Sequence, residues 1–313
     1  MLQCKADVKE WQYHESEMSE QPSSLHISVM PDEVVEYLAL KPGGVYIDGT
    51  LGAGGHSERI AISLGEGGSV ISLDRDAGAV RKAKERFQGT CVKPYQANYR
   101  DILTVLEQLN IETVDGMLLD LGLSSDQLAD RERGFSFDAD GLLDLRFDTT
   151  EGRPAWQWLE FLSEERIAQV IFEYGEERYS RRIARAIVKT RKKNQKPYVA
   201  AEFANLVREC VPQPPGKARI DAATRTFQAL RIFVNDELGA LGEFLKSAPE
   251  KLKPNGRLVI LSFHSLEDRI VKNAMRECEI LNVVTKKPIE SSEEEMERNP
   301  RARSAKLRCA ERK

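Results

Sequence analysis

The sequence predicts an α/β protein: a parallel sheet covered by helices on both faces and interrupted by an all-helical insertion. Three observations predict it. Strand-like and helix-like segments alternate strictly from Val45 to Asp120. The strand segments are near-continuous apolar runs, as expected where both faces of a sheet are buried. The alternation then stops, and it resumes only after the proline-rich stretch Val211-Pro212-Gln213-Pro214-Pro215-Gly216.

The elements follow in order. Pro31 to Leu40 carries Val34, Val35, Leu38 and Leu40 at spacings that suit a short amphipathic helix, which Lys41-Pro42-Gly43-Gly44 ends. Val45 to Asp48 is a strand, followed by the loop Gly49-Thr50-Leu51-Gly52-Ala53-Gly54-Gly55 and a helix from His56 to Leu64. Ser69 to Leu73 is a second strand ending in Asp74, and Gly78 to Phe87 a second helix in this run. Cys91 to Tyr95 is a third strand, Ile102 to Leu109 a helix, and Val114 to Leu119 a fourth strand ending in Asp120. Ser124 to Pro215 shows helical periodicity without a strand: Ile167, Val170, Ile171 and Tyr174 share one face, and Ile183, Ile187 and Val188 another, then Phe203, Leu206 and Val207. Thr224 to Lys246 reads as one long helix, Lys253-Pro254-Asn255-Gly256 as a turn, and Leu258 to Leu261 as a strand. The domain reading is a loose polar extension over 1–24, one discontinuous α/β domain over 25–125 and 216–313, and a helical insertion over 126–215.

The chain has 313 residues, about two domains' worth, and is 41% hydrophobic and 31% charged, a composition of soluble globular proteins. Five cysteines, at 4, 91, 210, 278 and 309, form no CxxC pair. That argues against a disulfide framework or a zinc site and for a reducing, cytoplasmic setting with no metal. No apolar run reaches the length of a membrane span, and the first residues do not have the form of a signal peptide.

The glycine loop carries the chemistry. Asp48-x-Thr50-x-Gly52-x-Gly54-Gly55 follows a strand and opens a helix, so its backbone can approach a ligand closely beside unpaired N–H groups. Asp74 ends the next strand 20 residues after Gly54, the spacing at which a carboxylate meets ribose hydroxyls. Dinucleotides and S-adenosylmethionine share this arrangement. Asp48, just before the glycines, suits a cationic ligand and would repel a pyrophosphate, and Thr50 stands where a dinucleotide loop has its first glycine. Both favour S-adenosylmethionine over NAD. Ligands of open α/β sheets bind at the carboxyl ends of the strands, so Asp48, Asp74 and Asp120 are expected on one rim.

Tyr46 to Ser57 strongly resembles the opening motif of the RsmH (MraW) family, which methylates the exocyclic N4 of a cytidine in small-subunit ribosomal RNA. Further matching stretches are Asp120 to Ser125 with Gln127, Arg133 to Phe137, Gly175 to Tyr179 with Arg182 to Val188, Thr224 to Ile232, Ser262 to Arg269, and Asn299 to Ser304. The resemblance runs from about Leu25 to the C-terminus. It implies a Rossmann-like S-adenosylmethionine-dependent methyltransferase domain with an inserted helical domain. It also implies cofactor contacts from Gly54, Gly55 and His56, from Asp74 on the ribose, from Tyr99 near the adenine, and from Asp120 and Gln127. The chain departs from the family pattern at Tyr99, usually Phe, at Asp221-Ala222, usually His-Pro, and at Leu142, usually Pro.

Methyl transfer to an exocyclic amine needs the amine in line with the methyl–sulfur bond and an acceptor for its N–H. The Asp/Asn-Pro-Pro-aromatic motif that supplies the acceptor in many amino-methyltransferases is absent. Asp120 to Ser125 occupies its place, which leaves a backbone carbonyl or Ser124 as candidates, with His264 as another. The partner expected is small-subunit RNA, free or in the assembled subunit. Local charge agrees: Arg178 to Lys196 holds nine basic residues and no acid, and Arg298 to Lys313 seven against one, on a chain of net charge -4. A ribosome-binding protein without catalysis is disfavoured by the intact loop and its three acids.

Overall fold

The computed structural model describes residues 27–192, 198–212 and 221–313. The 1–24 extension, Lys193 and Lys196 of the first basic run, and most of the proline-rich stretch lie outside the described residues. The chain divides into two compact units, residues up to Ser125 with Leu241–Lys313, and Asp126–Ala240.

The first unit is built on one sheet. Its strands are β1 (Val45–Asp48), β2 (Ser69–Asp74), β3 (Val92–Gln96), β4 (Val114–Asp120), β5 (Leu252–Ser262), β6 (Leu281–Val283), β7 (Ile289–Glu290) and β8 (Lys306–Arg312). They lie in the order β3-β2-β1-β4-β5-β8-β6, with β7 also paired to β8. The first five run parallel, as predicted, with Asp48 opposite Ser72 and Leu118, and Asp120 opposite Leu261. The strands carry apolar residues on both faces, and each face has its own core. Ile47, Ile71, Leu73, Met117, Leu119 and Ile260 point one way, against α4 (Ile102–Gln108), α11 (Glu237–Lys251) and α12 (Ser265–Glu277). Tyr46, Val70, Leu118, Val259 and Leu261 point the other way, against α1 (Pro31–Leu38), α2 (Gly55–Leu64) and α3 (Ala77–Arg86). Each fully buried aliphatic side chain contributes about 1.5–3 kcal/mol, so the two cores fix strand order and register together.

Four expectations fail here. The sheet is not wholly parallel: β8 runs antiparallel to β5, and β6 and β7 antiparallel to β8. The C-terminal basic run is therefore largely structural. Arg308 is buried and paired with Asp268 at 2.6 Å. Arg312 donates to the carbonyls of Pro249, Glu250 and Leu252. The Lys253–Gly256 turn lies inside β5, as a register shift in which these four residues stand opposite Asp115 alone, with Asn255 at φ 60. The long helix is two: Asp236, at φ 49, breaks it between α10 (Thr224–Asn235) and α11. Asp tolerates the left-handed conformation, and the apolar period continues in phase through it, so periodicity alone does not reveal the break.

The second unit contains α6 (Ala155–Phe161), α7 (Glu164–Gly175), α8 (Ser180–Lys192), α9 (Ala200–Cys210) and α10, and no strand beyond the isolated bridge Leu142–Val199 among its described residues. The buried faces are those the periodicity marks: Ile167, Val170 and Ile171, then Ile183, Ile187 and Val188, then Phe203 and Val207. α7 packs against α8 and α10. That packing groups α10 with this unit, whereas the sequence pattern assigns it to the α/β domain. Asn235, buried at the end of α10, donates to the carbonyls of Leu145 (2.7 Å) and Arg231 and accepts from Phe147 N–H (2.7 Å). Asp221, one of the departures from the family pattern, pairs with Arg208 at 2.7 Å and accepts from Ala223 N–H.

Candidate functional site

The parallel register brings the carboxyl ends of β1, β2 and β4 to one rim, and with them Asp48, Asp74 and Asp120. Strand order reverses between β1 and β4, the position at which open α/β sheets bind ligands. The glycine loop leaves β1 there and touches all three carboxylate positions. Thr50 N–H donates to Asp48 Oδ1 (3.1 Å), Gly52 N–H to Asp74 Oδ2 (2.8 Å), and Asp120 N–H to Thr50 Oγ1 (2.6 Å). Gly54 holds φ 84 at the start of α2, and a side chain on it would strike the Phe87 ring. A side chain on Gly55 would strike Ser28 Oγ. Glycine is therefore required at Gly54 by both conformation and packing, whereas at Gly55 a side chain would need only the Ser28 hydroxyl to turn away.

The three acids differ in role. Asp48 is fully buried, and Ser57 Oγ donates to its second oxygen (2.6 Å) while itself accepting from Ser72 Oγ (2.7 Å). It organises the loop from inside. Asp74 is half-buried and also receives Asp76 N–H (2.9 Å). Burial pushes its carboxyl up to about 6, against the two N–H donors that favour its charge. Asp120 faces His56, with Oδ2 3.4 Å from Nε2. Burial works against a charged His56, but Asp120, Asp48 and Glu295 outweigh it and raise its pKa. Both His56 ring nitrogens and Asp120 Oδ1 are buried with no hydrogen-bond partner among the described residues. Such atoms are costly unless a polar ligand satisfies them.

Tyr99 opens a short 3-10 turn capped by Asn98 and packs edge-on against Phe244, with centroids 5.7 Å apart. Its Cβ lies 3.2 Å from where a side chain on Gly49 would begin, so it stands beside the loop. Ser124 lies against Gly52 in the same way, at 3.6 Å. The structure thus brings Gly54, Gly55, His56, Asp74, Tyr99, Asp120 and Ser124 to one rim. Gln127 is buried in α5 (Ser125–Ala129) and is grouped with the second unit.

His264 does not fit the acceptor role. It is the N-cap of α12, in a reciprocal capping box with Glu267. Its Nδ1 accepts from Glu267 N–H (3.3 Å), so the neutral ring carries its proton on Nε2, which faces the Glu267 carboxylate at 3.1 Å. No lone pair remains for an incoming N–H.

Two residues at the rim escape the sequence reading. Arg301, in the 3-10 turn Pro300–Ser304, donates from Nη1 to Ser125 Oγ at 2.7 Å. Glu295, on α13 (Glu293–Arg298), accepts from Met30 N–H at 2.7 Å and acts on His56. More than two hundred residues separate them from the loop, so no spacing rule reaches them. The stretch Asn299 to Ser304 is a signal for Arg301 alone.

A model of the MraW methylase family matches residues 23–313. The chain is 47% identical to the ribosomal RNA small subunit methyltransferase H of Rhodopirellula baltica over 92% of this chain and 91% of that protein. It is 48% identical to the protein of that name in Synechocystis, over 91% of this chain and 93% of that one. The one from Trichlorobacter lovleyi is 45% identical, over 91% and 97%. This chain belongs to the MraW methylase family.

Proposed function

We propose that the protein transfers a methyl group from S-adenosylmethionine to the exocyclic N4 of a cytidine in small-subunit ribosomal RNA. The observation that carries the cofactor half is the loop bonded to three strand-end carboxylate positions, beside the unsatisfied polar atoms of His56 and Asp120. These residues fit a polar, cationic nucleoside. Bound there, S-adenosylmethionine supplies an electrophilic methyl on a sulfonium. Asp74 accepts from the ribose hydroxyls. Tyr99 offers a ring to the adenine. The Gly54-Gly55-His56 turn and Asp120 hold the remainder.

The segment from Asp120 to Ser125 leaves β4 at the rim, with Ser124 against Gly52 of the loop, and we assign it to the entry of the cytosine amine. A backbone carbonyl there or Ser124 accepts the amine N–H, which localises its lone pair as the new bond forms. RNA is gripped by the exposed face of α8, where Arg181, Lys189 and Lys192 point outward. Two other arginines of that run have internal work: Arg191 donates to the carbonyls of Leu159, Glu160 and Leu162, and Arg182 to that of Glu209. The setting is the cytoplasm, with free RNA or the assembled small subunit as substrate. No helix among the described residues is long and apolar enough to cross a membrane.

Incubation with small-subunit RNA and methyl-labelled S-adenosylmethionine, followed by nucleoside mass spectrometry, tests the reading. Label on N4 of cytidine is expected. Label on another base, or none from a protein that binds the cofactor, overturns the substrate assignment.

A further inference from the structure

The ligand proposed for the rim ends in an amino-acid tail, whose carboxylate is expensive to desolvate unless a cation receives it. The rim itself is rich in acids, with Asp48, Asp74 and Asp120 converging there. Arg301 brings a cation to the same place. Its Nη1 reaches Ser125 Oγ at 2.7 Å, and Ser125 follows Ser124, the residue that lies against Gly52 of the loop. The turn that carries Arg301 is firmly seated. Ala302 and Ala305 are buried, Ser291 Oγ donates to Ala302 O (3.0 Å), and the buried Asn299 donates to Ile27 O (3.1 Å).

Arg301 is only partly exposed, and its partner Ser125 is neutral. No carboxylate forms an ion pair with it among the described residues; burial disfavours its charge and lowers its pKa, against the weaker pull of Asp120. A half-buried guanidinium beside a neutral hydroxyl keeps donors available for an anion, and its planar fork matches a carboxylate. His56 Nδ1 and Asp120 Oδ1, buried without a hydrogen-bond partner among the described residues, mark the same part of the rim as built for a polar ligand.

We propose that Arg301 receives the carboxylate of the cofactor's amino-acid tail. This rests on the S-adenosylmethionine reading and adds a residue from the far C-terminus to the site. The antiparallel end of the sheet thereby supports the site, since β8 follows the turn directly and anchors its C-terminal side. The site would then distinguish an intact thioether nucleoside from one that has lost its amino-acid tail.

Calorimetric titration with S-adenosylhomocysteine and with 5′-methylthioadenosine, which lacks the tail, tests it in the wild type, Arg301→Lys and Arg301→Gln. Loss of one charge-assisted contact corresponds to about a tenfold or greater loss of affinity. Arg301→Gln should show that loss for S-adenosylhomocysteine and change 5′-methylthioadenosine less than about twofold. Arg301→Lys should fall between for the first ligand. Binding of the truncated nucleoside also reports that the rim is intact in each variant. Equal losses for both ligands would make Arg301 a structural support acting through Ser125, and unchanged S-adenosylhomocysteine affinity would give it no role; either overturns the proposal. A wild-type protein that binds neither nucleoside overturns the cofactor reading itself, and the proposal with it.

Discussion

Asp74 shows how one residue's environment sets a measurable property. Its folded pKa, about 6, stands above the ordinary value of 3.8, so the native state holds a proton more tightly than the unfolded chain. The stability it contributes is therefore present at low pH and lost as pH rises through about 6. Denaturant unfolding at pH 4.5 and pH 7 should show that slope in the wild type, and Asp74→Asn should flatten it. Cofactor affinity should run the opposite way, rising as the carboxylate ionises to accept ribose hydroxyls. His264 gives a second residue-scale expectation. His264→Ala removes a cap and should cost about 1 kcal/mol in unfolding free energy, with turnover per folded molecule unchanged. A collapse of turnover in a fully folded variant would return His264 to the chemistry.

At the scale of elements, β1 to β4 and the helices between them were legible because each strand is an apolar run and each connection carries glycine or a capping acid. Asp76 is such a cap, accepting from Gly78 and Ala79 N–H. The antiparallel end was not legible. β6 and β7 are three and two residues long, and β8 buries an arginine whose charge is answered by Asp268 only once α12 is in place. A basic residue with a distant partner reads as a surface charge. Arg308→Ala should thus destabilise the fold by about 3 kcal/mol, by leaving Asp268 unpaired, and leave no distinct effect on RNA affinity in the protein that remains folded. The α10–α11 break was hidden for a different reason, since both helices keep one apolar phase. Asn235, beside that break, satisfies three backbone groups, and Asn235→Ala should cost about 3 kcal/mol in unfolding free energy. Of the candidate site, the loop and its acids were local enough in sequence to be read together. Arg301 and Glu295 were not, because only the folded sheet brings the C-terminus back to β1 and β4.

For the whole molecule, net charge misleads and its distribution informs. The chain is acidic on average, yet α8 presents a basic face, while the C-terminal basic run is largely bonded internally. RNA affinity should fall steeply with salt, and reversing Arg181 and Lys189 to Glu should weaken binding and make the slope of log affinity against log salt shallower by about 1.5. An unchanged slope would move the RNA-binding face elsewhere. The proposed methyl transfer depends on the rim of β1, β2 and β4 being an S-adenosylmethionine site. Its most direct test is calorimetric titration of S-adenosylmethionine into the wild type and Asp74→Ala at neutral pH, with NAD as the control ligand. Saturable binding of S-adenosylmethionine, none of NAD, and a loss of about tenfold or more in Asp74→Ala are expected. Equal affinity in wild type and variant, or preference for NAD, would contradict that assignment.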